Sequence, residues 1–497
     1  MSDSKTSQKA GRPSSAYTQL GRALAAAFLV TVAIPTFIDV TVARHNPGFI
    51  GQLHVAMCVI YGITSFMIVL EAILACRVTG TSRLAKTGQL STSTLPPCTA
   101  IIAAYLPNEQ EIILDTIRHM LNTVDVPRDN FQVILAYNSP TPLAVEVELE
   151  GLALLDSRLT ILHVHDSHSK AENVNAAVKI ARGEIVAVYD ADHFPESKCF
   201  QKAWRWLEKD NDVVQGRCVI GNWSDNWITR TVAVEFDNIY AVSHQGRARL
   251  SGTAIFGGSH GYWRKSVLES VRLDASMLTE DIDASVRALL DGKRIVHDRE
   301  IISRELAPTR FMDWFFQRKR WAQGWLEVTL RHQSSLLSTP YLSAGQKSVW
   351  FYLLGWREMY PILSIQFFSM IFAAWILHVP IHWFNTPFYI ASGIVNLGSG
   401  PLTLIITSSC SSREGRKGLG WWYWVYALLN LPYTLLKTIV TLVAQYAHLV
   451  RDREWLTTPR MTHLEEIAEP EEELCEEPLE VRGRLVSSVA ESLGEDK

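Results

Sequence analysis

Membrane-length apolar stretches stand at both ends of this chain and leave one water-compatible stretch between them. Ala23 to Val42 and Leu53 to Cys76 come before it; Val349 to Val379, Phe388 to Ile406 and Trp421 to Val450 come after it. About 20 apolar residues carry a helix across a bilayer core, so a folded domain has to fit between the two sets. The 497 residues would allow two or three domains, but the apolar layout asks for one globular domain held between membrane segments.

The expected organisation is a disordered tail over 1–15, a transmembrane hairpin over 16–76, a globular domain over 77–340, interfacial and transmembrane helices over 341–450, and a C-terminal segment with an acidic disordered tail over 451–497. Lys5, Lys9, Arg12 and Arg22 precede the hairpin and Arg77, Arg83 and Lys86 follow it, whereas its connection holds only Arg44 and His45. By the positive-inside rule the N-terminus and the globular domain are cytoplasmic, and the protein is integral to a membrane, with the plasma membrane as the expected location. A cleaved signal peptide is disfavoured, because the first apolar core is too long and no small-residue cleavage pattern follows.

Arg357 and Glu358 interrupt the third stretch, so its first half reads as an amphipathic interfacial helix, with the spanning part beginning near Pro361. Trp421, Trp422, Tyr423 and Trp424 suit an interfacial aromatic belt. Arg413, Arg416 and Lys417 favour a cytoplasmic loop, which leaves the C-terminus outside if the last stretch crosses once. Arg451, Arg453 and the acidic tail from Thr462 to Lys497 favour inside, and the two signals stay in balance. Seven scattered cysteines form no CxxC pair and read as reduced. The net charge of -4 includes the acidic tail, and no nucleic-acid partner is expected.

Between Thr99 and Leu330 short runs rich in Ile, Val and aromatics alternate with segments of helical period. Ala100 to Tyr105, Phe131 to Tyr137, Leu159 to Val164 and Glu184 to Tyr189 are the expected strands. The expected fold is α/β, a doubly wound, mostly parallel sheet with ligands bound beyond the carboxyl ends of its strands. Pro107, Asn108 and Glu109 follow the first such end, and Asn138 follows the second. Asn108 either caps the next helix or faces a ligand; Glu109 is the better candidate for a ribose or base.

Four polar motifs occur in order in this segment. Lys170, with Asn173 and Asn175, opens a helix, where a cation is disfavoured by the dipole unless an anionic partner is near. Asp190 and Asp192 flank Ala191 at the end of an apolar strand and offer hard oxygen ligands to a divalent cation bridging phosphates. Thr279-Glu280-Asp281 opens another helix, with Thr279 placed to cap it and Asp281 the candidate general base. Gln317, Arg320 and Trp321 lie on a helix from about Arg310 to Leu330. Arg320 suits a diphosphate and Trp321 the face of a sugar. Arg318 and Lys319 read as a basic patch toward anionic lipid.

Carried by those motifs, the segment from about Thr99 to His332 resembles an inverting family 2 glycosyltransferase of GT-A type. With its flanking helices the chain resembles the membrane-integrated synthases of cellulose, chitin, hyaluronan and poly-N-acetylglucosamine. The resemblance implies that Asp190 and Asp192 bind nucleotide phosphates with Mg2+ or Mn2+. It implies that Asp281 is the base, and that Gln317, Arg320 and Trp321, with Glu280, hold the diphosphate and the acceptor end. The loop Gly257 to Gly261, with Gly258 and Ser259, resembles the one beside the acceptor sugar, with Arg264 shortly after.

Further along, Arg453 to Arg460 resembles the gating segment of the cellulose-type enzymes. Tyr137-Asn138-Ser139 departs from the family pattern, in which an acidic residue meets the uracil. The partners implied are a UDP-sugar donor, membrane lipids, and either a growing β-linked polysaccharide or a lipid acceptor. The motifs fit both acceptors.

Overall fold

The computed structural model describes residues 13–46, 48–76, 94–381, 386–411 and 418–452. Lys5, Lys9, Arg12, Arg77, Arg83, Lys86, Arg413, Arg416, Lys417, the segment from Arg453 to Arg460 and the acidic tail lie outside the described residues.

The first membrane segment is longer than its apolar core. Helix α1 (Pro13–Phe28) runs through a π-helical turn (Leu29–Ala33) into α2 (Ile34–His45), and α3 (Phe49–Cys76) returns. Pro13 suits a first helical position, since its missing N–H would be unsatisfied there anyway.

The globular part follows the expected alternation. In chain order it contains β1 (Cys98–Tyr105), α4 (Leu106–Glu109), α5 (Ile113–Thr123), β2 (Phe131–Asn138), α6 (Ala144–Leu155), β3 (Leu159–His163), α7 (Lys170–Ile180), β4 (Ile185–Asp190) and β5 (Phe194–Pro195). There follow α8 (Cys199–Leu207), β6 (Val213–Ile220), α9 (Trp227–Asp237), α10 (His244–Ser251), β7 (Gly261–Arg264), α11 (Lys265–Val271), α12 (Glu280–Leu290), β8 (Ile295–Glu305) and α13 (Phe311–Ser338).

The eight strands form one sheet in the order β3-β2-β1-β4-β7-β6-β8-β5. β3, β2, β1 and β4 are mutually parallel, β7 is antiparallel to both its neighbours, and β8 is parallel to β6. The continuous Ile/Val/Ala runs of β1 and β4 belong to strands covered on both faces. Ala100 and Ile102 pack with Ile117, Met120 and Phe200 of α5 and α8, while Ile101 and Ala103 pack with Ala171 and Val174 of α7. Register then sets the ligand edge: Tyr105 lies opposite Asn138 and Ala103 opposite Asp190, so the three carboxyl ends stand side by side.

After α13 come α14 (Ala344–Phe351), a π-helical turn (Tyr352–Trp356), α15 (Arg357–Ser364), α16 (Gln366–Ile376), α17 (Pro387–Cys410) and α18 (Trp422–Leu449). Among the described residues five helices are long and apolar enough to cross a membrane: residues 17–45, 49–76, 344–376, 387–410 and 422–449. The charged pair in the third is turned inward. The Arg357 guanidinium lies 4.2 Å over the Trp325 ring of α13, and Glu358 accepts from Gln445 of α18 at 3.2 Å.

α3 and α17 end on the domain. Arg247 of α10 pairs with Glu71 of α3 at 3.0 Å, and Gly246 leaves no room for a Cβ against the Glu71 backbone. Thr407 of α17 donates to Asn238 at 3.0 Å, and Arg217 of β6 donates to the Cys410 carbonyl at 3.2 Å.

α18 is distinguished from the other four. Its start is fixed by the Tyr423 hydroxyl on Asp237 of α9, its middle by Lys437 on Glu235 at 3.4 Å, and its end by Lys319 of α13 on Asp452 at 2.9 Å. A helix of 28 residues is about 42 Å long. Both ends of α18 are therefore tied to the globular domain. Asp452, at the end of α18, is held by Lys319 and by Gln323 of α13. Trp421 and Trp424 are exposed as an interfacial belt would be, but Tyr423 is buried in this contact.

Arg318 and Lys319 are not a free basic patch. Arg318 is buried against Glu235 at 2.8 Å with its guanidinium 4.2 Å over the Trp321 ring, and Lys319 belongs to Asp452. Burial by itself would raise the Glu235 carboxyl, but Arg318, Lys437 and the Tyr433 hydroxyl outweigh it and hold the group below its ordinary range. Glu235→Ala leaves Arg318 buried without a counter-charge and is expected to destabilise the protein by about 3–5 kcal/mol, read by thermal unfolding in detergent. In sealed vesicles, single cysteines introduced at Leu154 and Val450 in a cysteine-free background are expected to label from the same side; labelling from opposite sides would overturn the placement of α18.

Candidate active site

The carboxyl ends of β1, β2 and β4 form one rim of the site, and the α12 N-terminus and the loop from Phe256 to His260 form the other. Asp190 is the last residue of β4 and is half-buried; Asp192, two residues on, is 2% exposed. The Lys170 ammonium, at the start of α7, pairs with the Asp190 carboxylate and donates to the Gly258 carbonyl at 2.7 Å. Burial by itself would lower this ammonium, but Asp190, Glu280 and Asp281 outweigh it and raise it above its ordinary range. One cation therefore links the Asp190 strand end, the glycine loop and the Asp281 turn.

The loop is held from several sides. The Ser285 hydroxyl accepts from the Phe256 amide at 2.9 Å, Gln215 accepts from the Gly257 amide at 2.9 Å, and His260 donates its amide to the Val188 carbonyl at 2.8 Å. Ser259 accepts from the Asp190 amide at 3.0 Å, which ties the loop to the end of β4. Gly258 has φ +90, and a Cβ there would stand 3.0 Å from a carboxylate oxygen of Asp281. Only glycine combines that left-handed backbone with so close an approach.

Asp281 is half-buried on the first turn of α12. Burial and the neighbouring Glu280 push its carboxyl up to about 7, against the Ile282 amide and Lys170, which pull it down. A carboxylate so tuned can accept a proton near neutral pH. Thr279 holds the N-cap position, but its side chain does not cap: the hydroxyl is buried and has no hydrogen-bond partner among the described residues. The side chain is turned against Gly324 of α13 instead, where a Cβ would stand 2.6 Å from the Thr279 hydroxyl.

α13 is fastened to α12 at three levels. Glu327 accepts from the Leu278 amide at 3.3 Å, Gly324 admits Thr279, and His332 meets the fully buried Asp283 at 2.7 Å. Arg287 adds a second contact to Asp283, also at 2.7 Å, so this acidic residue serves packing. Arg320, on the same helix, lines a pocket that also reaches Leu278. Gln317 is half-buried, and Trp321 packs against Phe236 with ring centroids 6.4 Å apart. Among the described residues no hydrogen bond or ion pair joins Gln317 or Arg320 to Asp190, Asp192 or Asp281.

Several of the expected ligand-facing residues are engaged within the protein. Glu109 accepts from the Tyr105 amide at 2.9 Å, which closes the end of β1. Pro107 lies in the first turn of α4, and Asn108 occupies neither the α4 nor the α5 N-cap, which are Tyr105 and Ile112. Asn138 donates to the Ser167 carbonyl at 3.1 Å and accepts from Asn173 at 2.9 Å, and Asn173 also meets the Ala104 carbonyl. Asn175 exchanges two hydrogen bonds with the Leu273 backbone. Of that helix motif, only Lys170 reaches the site.

His193 and Glu305 are part of the site that sequence reasoning missed. His193 is 1% exposed, between Asp192 at 3.4 Å and Glu305 at 2.9 Å. Burial would lower this imidazole, but Asp192, Cys218 and Glu305 around it outweigh that and raise it well above its ordinary range. The signal was present as the residue after Asp192; its partner at the end of β8 was not legible. Asp190, Asp192 and His193 each present a ligand atom within 4.8 Å of one another, and His193, Cys218 and Glu305 form a second such group. The two carboxylates suit a hard divalent cation.

The model of glycosyl transferase family group 2 matches residues 185–437. The UDP-forming cellulose synthase catalytic subunit of Komagataeibacter sucrofermentans is 25% identical over 330 residues, 64% of this chain and 42% of that protein. Probable glucomannan 4-beta-mannosyltransferase 14 of Arabidopsis thaliana is 24% identical over 209 residues, 41% of this chain and 36% of that protein. The chain thus spans less than half the length of these curated relatives. Among solved structures, mannosyltransferase PcManGT from Pyrobaculum calidifontis, in complex with GDP-Man and Mn2+, has a like fold: TM-score 0.52 at 17% identity, over 80% of this chain and 99% of that one.

Gly324→Ala is expected to push Thr279 and the Asp281 turn out of place. Overpacking of this kind costs about 1–3 kcal/mol of stability, and turnover should fall at least about tenfold, because small displacements of reacting groups are costly. Wild-type turnover in this variant would show that α13 does not set the turn.

Proposed function

The chain belongs to glycosyl transferase family group 2, its mixed sheet is of GT-A type, and from that premise we propose that it transfers a sugar from a UDP-sugar to the growing end of a β-linked polysaccharide. The reaction takes place on the cytoplasmic face of the membrane, the plasma membrane being the expected one, and the product is exported. The observation that carries this reading is Lys170, which links Asp190, the Gly258 loop and the half-buried Asp281 in one cleft.

Asp190 and Asp192 would hold a divalent cation, Mg2+ or Mn2+, which when bound offsets the negative charge of the donor diphosphate. Lys170 adds a fixed positive charge at the same strand end. Arg320, which lines the pocket that reaches Leu278, supplies paired N–H donors to diphosphate oxygens. Asp281 accepts the proton of the acceptor hydroxyl as that oxygen attacks the anomeric carbon. Direct displacement inverts an α-linked donor to a β-linked product and releases UDP, with no covalent enzyme intermediate. Trp321 offers an apolar face to the acceptor sugar. With both amide atoms of Asn138 engaged in the protein, contact with the base falls to neighbouring groups at the ends of β1 and β2.

The whole chain in nanodiscs, given Mg2+ or Mn2+ and a panel of radiolabelled UDP-sugars, is expected to place label in a high-molecular-weight aqueous product that a β-glycanase digests. Label recovered instead as one or two sugars on an organic-soluble lipid would replace the polymer acceptor by a lipid one. Asp281→Asn should cut transfer by about 10²–10⁴-fold and leave donor affinity nearly unchanged.

The pH dependence has a definite sign. Asp281 serves only when deprotonated, so kcat/KM should climb as pH rises to about 7 and level off above it. A flat profile from pH 5 to 8 would remove Asp281 from the role of base.

A further inference from the structure

One residue of the loop beside Asp190 holds a conformation that its type does not favour. His260 has φ +57, a left-handed backbone that few residues other than glycine adopt, and it is fully buried. It stands directly before β7 and two residues after Gly258, which is also left-handed. A backbone held in such a region persists only where its surroundings over-determine it, and such positions gather at functional sites.

The surroundings of His260 form a seat for its ring. The pairing of β6 with β8 shifts register between Gln215 and Arg217, and the residue in the gap is Gly216. A Cβ on Gly216 would run into the His260 ring and stand 3.0 Å from the Ile301 carbonyl, so the imidazole fills the space that the missing side chain leaves. Burial, with His193 nearby, pushes this imidazole down to about 3, so the ring is neutral and carries one N–H. Nε2 donates to the Ile301 carbonyl of β8 at 3.2 Å, and Nδ1 accepts from the Tyr262 hydroxyl of β7 at 3.3 Å. The Tyr262 hydroxyl in turn meets that of Tyr189 in β4 at 2.8 Å.

The same turn sets the residue before it. The His260 amide reaches Val188 of β4, and its carbonyl accepts from the Gly216 amide at 3.0 Å. Ser259 is held there by two bonds: its carbonyl accepts from the Gln215 side chain at 3.0 Å, and its hydroxyl accepts from the Asp190 amide at 3.0 Å. A return of residue 260 to negative φ would turn Ser259 away from both.

We propose that His260 is a positioning residue for the divalent cation: its ring, seated against Gly216, holds the left-handed turn that keeps Ser259 on the Asp190 amide and the Gly258 carbonyl on Lys170. It acts through Ser259 and not as a ligand. The inference rests on the reading that Asp190 and Asp192 hold Mg2+ or Mn2+. A residue that only filled space beside β6 would need neither a left-handed backbone nor a polar ring, since a buried polar group costs free energy unless it is fully bonded. Here both ring nitrogens are bonded and the backbone is bonded on both sides.

The test is a calorimetric titration of Mn2+ into the purified whole chain in detergent with UDP present, beside thermal unfolding of the same samples. His260→Ala is expected to weaken Mn2+ binding at least about tenfold, and Gly216→Ala, which displaces the ring without removing it, should do the same. His260→Gly leaves the left-handed backbone open and should fall between wild type and His260→Ala. Adding Gly216→Ala to His260→Gly should cost little more, because the ring it would strike is gone. Tyr262→Phe removes one hydrogen bond at nearly constant volume and should give a smaller loss in the same direction, a variant that keeps the fold even if the others do not. A role in stability alone would lower the unfolding temperature and leave the Mn2+ affinity of the folded protein unchanged. That result in His260→Ala and Tyr262→Phe, or full additivity of Gly216→Ala with His260→Gly, would overturn the proposal; absence of Mn2+ binding by wild type would remove it together with the cation reading of Asp190 and Asp192. No acceptor enters the titration, so a failed polymer assay leaves this comparison intact.

Discussion

The contact on which the candidate site depends is the close approach of α13 to the turn before α12. Gly324 leaves room for Thr279, Glu327 holds the Leu278 amide, and His332 meets Asp283 one turn further on. A backbone carrying no Cβ is what lets two helices come so near that the helix bearing Arg320 and the turn bearing Asp281 act as one body. Through the buried Arg318 and Glu235 pair the same helix is joined to α9 and to α18. A displacement of the last helix would be felt at the site, because the intervening side chains are packed and charged rather than loose.

Electrostatics organises the opposite rim. Three carboxylates, Asp190, Glu280 and Asp281, surround one ammonium, that of Lys170. The carboxylate Asp192 is offset separately by the imidazole of His193, which Glu305 holds from behind. Such a cluster is stable only while its charges are matched, and it presents carboxylate oxygens at a strand end where an oxygen-seeking cation and phosphates can be taken up. The carboxyl of Asp281 is shifted by burial and by Glu280 more than Lys170 relieves it, which leaves a carboxyl that exchanges its proton near neutral pH.

Much of the architecture was legible in the residues. Strands β1, β2, β3 and β4 begin and end within two residues of the expected runs, because continuous Ile, Val and Ala between turn residues have few other ways to be buried. Less of the site was legible. Lys170, Asp190 and Asp281 meet in one cleft, but Asn138, Asn173 and Asn175 spend their amides on the protein backbone and on each other. Polar residue types at strand ends look alike in sequence whether they brace the fold or face a ligand, since both uses need the same donors and acceptors. Thr279 read as a helix cap and turned out to be a packing surface, because its neighbour Gly324 lies 45 residues away in the chain and only meets it in the fold.

The sequence by itself determined the apolar segments, the α/β alternation and the order of the motifs, all of which follow from local composition and period. Tertiary structure alone decided which side chains pair across distance. Arg318 became a buried counter-charge rather than a lipid contact, His193 found Glu305 across the sheet, and α18 was fixed to the domain at both ends although its composition would let it cross a membrane. The physical reason is the same in each case. Hydropathy reports what a segment can tolerate around it, whereas charge pairing and close packing depend on the one neighbour that the completed fold brings within about 3 Å.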